Sequence, residues 1–271
     1  MILNKLSYNA GTAARVVRAK LGFPVNKKLI QFCGIQRSGN HAVINWIIGQ
    51  ESSKTCFING VFPGENPWHK NWGISYPNYP YWPKSRDLAG AFVSKDLVIC
   101  SYENREIKKI AEDRKLLPKY LGNSSQKYSV IIIRDPYNTF ASWFQKNWPL
   151  TPEIIKLWKD YAYEYLKKTN YLKNPKICIS FNQWFSDSNY RQKLADSLGL
   201  KFTDRNLNTV SFHGGGSSFD EQSLNQKAQE MNILNRFHDY LGEPKFLQIF
   251  EKDPEIGKLS KEIFGSIERS L

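Results

Sequence analysis

Two groups of residues in this chain have the types and spacing to hold an anion. The first is the run Gly34-Ile35-Gln36-Arg37-Ser38-Gly39-Asn40-His41, which follows the apolar run Leu29 to Cys33 and leads into a helical pattern, Ala42 to Gly49. A strand, a glycine turn and a helix in that order aim backbone N–H groups and the positive end of the helix at one point. Gly34 and Gly39 have the GxxxxG spacing of a P-loop, yet Asn40 and His41 stand where a nucleoside triphosphatase carries Lys and Ser/Thr. The lysine that reaches the β- and γ-phosphates is missing, as is the magnesium-binding hydroxyl, and the cation lies inside the loop at Arg37. In the second group, the apolar run Ser129 to Ile133 ends in Arg134, and Ser142 follows eight residues later in the next helix. These two side chains can converge on one phosphate, the arginine through paired charge-assisted bonds and the serine through a neutral one. Asp135-Pro136 reads at the same time as a helix start, with Asp135 as the cap and Pro136 in the first turn.

Over about Lys28 to Phe219, the chain resembles the sulfotransferases that use 3′-phosphoadenosine-5′-phosphosulfate (PAPS). The family's 5′-phosphosulfate loop reads Lys/Arg-Ser-Gly-Thr-Thr after the first strand. Arg37-Ser38-Gly39 matches its first three positions, and Asn40-His41 departs from the last two. The family's 3′-phosphate motif is an arginine closing a strand with a serine eight positions on, as at Arg134 and Ser142. Phe181 stands at an aromatic position near the adenine, with Asn182 in place of the usual acid, and Ala42 stands where many members place a tryptophan. His213-Gly214-Gly215-Gly216-Ser217-Ser218-Phe219 matches a glycine-containing loop that closes over the 3′-phosphate, although three glycines equally make an ordinary linker.

The resemblance implies transfer of a sulfuryl group from PAPS to a hydroxyl or amine of an acceptor, releasing PAP, with no metal. It assigns the 5′-phosphosulfate to Arg37, Ser38, Gly39, Asn40 and His41, and the 3′-phosphate to Arg134 and Ser142. Phe181, Gly215, Gly216, Ser217 and Ser218 complete the nucleotide site it implies. Sulfuryl transfer is an in-line displacement governed by positioning and charge, and Arg37 is the group expected to neutralise the leaving oxygen. The family's general base is a histidine or glutamate just past the third strand, which puts Glu103 in that role with His41 and His69 in reserve. Glu103 reads equally well as a cap or ion-pair partner of the helix that follows.

These residues require strands and helices to position them. Five short runs read as strands buried on both faces of a sheet: Leu29–Cys33, Thr55–Ile58, Leu97–Ser101, Val130–Ile133 and Ile177–Ser180. Helical patterns occupy Ala42–Gly49, Pro152–Tyr171, Arg191–Leu198 and Gln226–Leu241. The expectation is an α/β fold, a P-loop-type doubly wound sheet of about five parallel strands with helices on both faces. The chain divides in this reading into a basic N-terminal segment, 1–27, and a single α/β domain, 28–271. Residues 60–90, rich in Trp, Tyr and Pro, form an insertion without regular structure, either a functional lid or a cover for the sheet edge.

Composition narrows the alternatives. A net charge of +13 favours anionic partners, but the lysines are dispersed and read mainly as solvated helix faces. No recognition-helix or RNA-binding motif is present, so nucleic acid is not an expected partner. The four cysteines, Cys33, Cys56, Cys100 and Cys178, sit in or beside apolar runs without metal-ligand spacing, and so read as reduced strand residues rather than a zinc site. No apolar run is long enough to cross a membrane, and the expected setting is cytoplasmic. The acceptor is unreadable beyond a leaning towards carbohydrate, whose faces stack on aromatic rings, and the oligomeric state is equally hidden. A P-loop phosphotransferase and a non-catalytic polyanion binder stand as the competing readings.

Overall fold

The computed structural model describes residues 13–51, 53–79, 84–173, 175–211, 216–221 and 223–267. It is an α/β fold built on a six-stranded sheet in the order β3-β2-β4-β1-β5-β6. The strands are β1 (Pro24–Gly34), β2 (Thr55–Asn59), β3 (Gly73–Ser75), β4 (Leu97–Glu103), β5 (Asn123–Ile133) and β6 (Lys176–Ser180). Every expected strand is present. β1 and β5 start earlier than their apolar cores suggest, because the polar residues ahead of each core also pair, and β1 thereby begins inside the segment set apart as 1–27.

The helices are α1 (residues 13–20), α2 (Asn40–Gly49), α3 (Lys84–Leu88), α4 (Ile107–Asp113), α5 (Leu117–Leu121) and α6 (Pro136–Gln145). They continue with α7 (Pro152–Tyr165), α8 (Phe181–Ser186), α9 (Ser188–Ser197), α10 (Pro244–Lys252) and α11 (Pro254–Phe264). No helix among the described residues is long and apolar enough to cross a membrane.

Two sequence expectations are corrected, and the helix expected over Pro152–Tyr171 stops at Tyr165, with Lys167 beyond it at a left-handed φ of 59°. The helix expected over Gln226–Leu241 is a run of turns with two 3-10 segments, Ala228–Glu230 and Arg236–Tyr240. Its buried residues Met231 and Ile233 stand two apart, which is extended rather than helical spacing, and Gln226 takes a left-handed φ of 71°. The insertion at 60–90 is not structureless. It contributes β3, which pairs antiparallel with β2 (Phe57 opposite Ser75, Asn59 opposite Gly73), and α3. It covers the edge of the sheet with a short strand, one of the devices that protects an exposed edge. Within it, Tyr81, Trp82 and Pro83 lie outside the described residues, as does Gly215 farther along.

The chain divides into two compact units. One comprises residues 1–33, 51–130 and 171–176, and the other residues 34–50, 131–170 and 177–271. In the first unit, β2 and β4 are parallel and buried along their whole length, Cys56 opposite Val98 and Ile58 opposite Cys100. Strands buried on both faces explain the unbroken apolar runs. All four cysteines are free thiols in strands, three buried and Cys178 partly exposed. Burial pushes the Cys56 thiol up to about 12 and the Cys100 thiol well above the usual thiol range, so neither is a nucleophile at neutral pH.

The insertion is fastened from within the same unit by a buried ion pair. Lys95 Nζ lies 2.7 Å from Asp87 Oδ1, with both side chains almost wholly out of solvent, and Tyr76 donates its hydroxyl to Asp87 Oδ2 at 2.7 Å. The Lys95 ammonium also stands 5.2 Å from the Trp68 ring centroid. Breaking such a pair from one side leaves an uncompensated buried charge. Lys95→Met is therefore expected to cost about 3–5 kcal/mol in urea unfolding, and Lys95→Met with Asp87→Leu to recover most of the loss. Equal losses in the single and double variants would contradict this.

Candidate active site

The second compact unit carries the glycine loop. β1 ends at Gly34, and the chain turns through Arg37, whose φ of 71° is left-handed, and Gly39, at φ 86°, before α2 begins at Asn40. A Cβ at Gly39 would fall 2.1 Å from the Phe181 ring, and one at Gly34 would fall 2.1 Å from Asn40 Oδ1. Both glycines are thus demanded by close approach, and Gly39 also by its backbone angle. Gly39 is the N-terminal cap residue of α2 and supplies no side chain, so no side-chain bond competes for the first-turn N–H groups. Those N–H groups have no intrahelical acceptor, and the helix end is positive.

The candidate residues of this loop divide by role. Ser38 is buried. Asn40 folds its side chain back, with Nδ2 donating to the Ile35 carbonyl at 3.0 Å, so it braces the loop. The outward donor at this position is the backbone N–H. His41 lies in the first turn of α2, partly exposed.

Arg134 and Ser142 converge as their spacing predicts. Arg134 follows β5, Asp135 caps α6 by accepting from the Asn138 N–H at 2.8 Å, and Pro136 starts the helix. Ser142, two turns along, accepts from Arg134 Nη1 at 3.3 Å and donates to the Asn138 carbonyl. The same Nη1 donates to the Arg37 carbonyl at 3.1 Å, and Nη2 donates to the Ile233 carbonyl. The guanidinium carbon stands 5.3 Å from the Phe181 centroid. Phe181 opens α8 and stacks on Trp184. Asn182, at the position of the family's acid, donates to Asp135 Oδ2 at 2.9 Å and so buttresses the cap.

Arg236 is a residue that the sequence reading missed. It is 7% exposed and ion-paired with Asp220, and its Nη2 donates to Ser217 Oγ at 3.0 Å. The Phe219 ring lies 4.6 Å from its guanidinium carbon. Ser217 and Glu221 bridge through paired backbone bonds of 3.1 Å, closing a tight turn whose Ser217, Phe219 and Asp220 surround one guanidinium. Ser217 is therefore engaged in orienting an arginine. Gly216 takes φ 73° next to it. The available signal was that Arg236 is the lone charge in Met231–Phe237, an otherwise uncharged run read as part of a helix.

The electrostatics converge on these arginines. Burial pulls the Arg134 guanidinium down to about 9, with Asp135 opposing the fall and Arg236 and Arg37 adding to it. Burial likewise lowers Arg236 to about 10, opposed by Asp220 and reinforced by Arg37. Three guanidiniums within electrostatic reach of one another, two of them buried, disfavour their own charged state until an anion joins them. Among the described residues, Arg134 Nε, Asn40 Oδ1 and Ser218 Oγ are buried without a hydrogen-bond partner. An unpaired buried donor calls for an acceptor, and a bound anion would supply one to Arg134 Nε.

Glu103 belongs to the other compact unit, at the last position of β4, 5% exposed. It does not cap the next helix, because α4 begins at Ile107 with Glu106 in the cap position. His69 lies exposed in a turn of that unit. No cluster of three or more His, Cys, Asp or Glu side chains able to hold a metal occurs among the described residues.

The chain is similar to a mouse sulfotransferase, SULT7A1, in its crystal structure complexed with PAP, at a TM-score of 0.50 and 13% identity. The match covers 87% of this chain and 89% of the mouse one. No protein-family model and no curated protein matches the sequence. With its six-stranded sheet and a glycine turn between β1 and α2, the chain has the fold of the sulfotransferases.

Proposed function

We propose that this chain is a PAPS-dependent sulfotransferase that transfers a sulfuryl group to a hydroxyl or amine and releases PAP. The observation that carries the reading is the convergence of Arg37, Arg134 and Arg236 with Ser142 in one unit. That is more positive charge than a 5′-phosphosulfate alone requires, and it suits a nucleotide with a second phosphate. The PAP bound to the mouse protein is such a nucleotide.

In this reading Arg134, Ser142 and Arg236 hold the 3′-phosphate. The first turn of α2, with Arg37, Ser38 and Gly39, holds the 5′-phosphosulfate, and Phe181, Gly216 and Ser218 complete the pocket. Sulfuryl transfer breaks the bond from sulfur to the bridging oxygen as the acceptor oxygen or nitrogen bonds to sulfur. Negative charge collects on the leaving phosphate oxygen, where Arg37 meets it. The acceptor's proton goes to a base, and Glu103, buried at a strand end, is the proposed one. The exposed rings of Trp72 and Tyr79, with Arg105 stacked 4.0 Å from the Phe62 centroid, suit a carbohydrate acceptor.

Calorimetry with PAP, ADP and ATP-magnesium tests the reading. PAP is expected to bind at least about tenfold more tightly than ADP, since each buried charge pair to the extra phosphate is worth about 2 kcal/mol or more. Preference for ATP-magnesium, or equal affinity for PAP and ADP, would overturn it. Arg236→Ala is expected to weaken PAP about tenfold or more with little effect on 5′-AMP, and Arg134→Ala to weaken PAP about 100-fold with a smaller loss for 5′-AMP, because the Arg37 carbonyl of the glycine loop loses its donor. In turnover assays with an accepted substrate, Arg37→Ala and Glu103→Gln should lower kcat by about 100-fold or more with smaller changes in the KM for PAPS. A Glu103→Gln variant at full kcat would remove Glu103 from the chemistry.

A further inference from the structure

The N-terminal helix presents an apolar stripe outward. In α1, Arg15, Val16 and Ala19 are partly covered, whereas Ala13, Ala14, Val17, Arg18 and Lys20 are exposed. At 100° per residue, Ala13, Ala14 and Val17 fall on one stripe with Leu21, which closes the last turn through its N–H to the Val17 carbonyl at 2.9 Å. Arg18 and Lys20 flank that stripe on its two sides. Val17 is 54% exposed, Leu21 69% and Phe23 52%, so three large apolar side chains within one short segment stand in solvent. Arg18 stacks its guanidinium 5.7 Å from the Phe23 centroid, and Asn123 Nδ2 donates to the Gly22 carbonyl at 2.9 Å, pinning the turn between Leu21 and Phe23. An apolar stripe in water is unfavourable unless something covers it.

Charge identifies the covering partner. The first acidic residue of the chain is Glu51, and before β1 reaches its core the chain carries Lys5, Arg15, Arg18, Lys20, Lys27 and Lys28. Basic side chains bordering an apolar stripe keep their charged ends at the headgroups while the stripe enters the acyl boundary. Clustered Lys and Arg near a surface add attraction to anionic lipid. A nucleic acid would use the charge and leave the apolar stripe in water, and a second copy of the chain would bring the same positive charge against itself.

We infer that α1 with the turn through Phe23 is a peripheral membrane anchor that docks on an anionic lipid surface. This inference does not depend on the sulfotransferase reading.

Flotation of the full chain with vesicles tests it, comparing phosphatidylcholine alone with an equimolar mixture of phosphatidylcholine and phosphatidylglycerol. The expected result is at least about tenfold more protein on the anionic vesicles, salt-sensitive, with Leu21→Ser/Phe23→Ser reducing it to the neutral-vesicle level. Arg18→Gln/Lys20→Gln should weaken it several-fold. These side chains are exposed, so thermal melting of the variants should match the parent. A Phe23→Trp variant reads insertion directly, through a blue-shifted emission quenched by brominated acyl chains only with anionic vesicles. Equal flotation of Leu21→Ser/Phe23→Ser and the parent would overturn the inference in favour of a charge-only polyanion face. Equal binding to both vesicle types would also overturn it, as would no binding together with a dimer that Leu21→Ser/Phe23→Ser dissociates.

Discussion

One guanidinium organises the second compact unit of this protein. Arg134 reaches the glycine loop through the Arg37 carbonyl, α6 through Ser142, and the segment after α9 through the Ile233 carbonyl. Its own carbonyl accepts from Trp158 on α7 at 3.1 Å. Four parts of the chain are thus referred to a single buried residue, three of them through its guanidinium. The geometry needs a residue with a planar fork of donors, since a lysine would present one point charge where three separate acceptors wait. Asp135 beside it has its carboxylate occupied by Asn138 and Asn182, so it offsets charge nearby without forming an ion pair that would occupy the fork.

The arrangement stores electrostatic cost. Burial and the neighbouring Arg37 act against charge on both Arg134 and Arg236, and Asp220 relieves only the second. Preorganised donors held in a poorly solvated place bind an anion strongly because the reorganisation is complete before the ligand arrives. The loop reinforces this with geometry. A left-handed Arg37 and a glycine pressed against Phe181 fix the turn so that its N–H groups and α2 share a direction. Asn40, where a triphosphatase carries its lysine, spends its amide on the Ile35 carbonyl. The loop is thereby stiffened at the position where a kinase reaches towards a γ-phosphate.

Much of this was legible in the chain. The buried strands announced themselves as unbroken apolar runs, and the strand-end Arg134 with Ser142 eight residues on could be read because a helix fixes that distance. Asp135-Pro136 marked the start of α6 by local chemistry alone. What stayed hidden depends on long-range packing. Arg236 becomes meaningful only when the turn at Ser217–Glu221 folds around it, and its segment looks helical to a periodicity test because its apolar residues are close together. β3 is three residues long and pairs across an insertion, below the length at which alternation carries a signal. The outward stripe of α1 was invisible for a related reason, since periodicity finds a stripe without saying which way it faces.

The central claim is that the three arginines await a phosphate. Arginine side-chain NMR of the nitrogen-labelled protein addresses it most directly, with signals assigned by Arg→Lys variants and followed during titration with PAP and then with 5′-AMP. The account predicts that PAP shifts the Nε–H signals of Arg134 and Arg236 strongly and slows their exchange with water, while 5′-AMP moves mainly Arg37. Arg134 and Arg236 signals indifferent to PAP, or responding equally to both nucleotides, would contradict it.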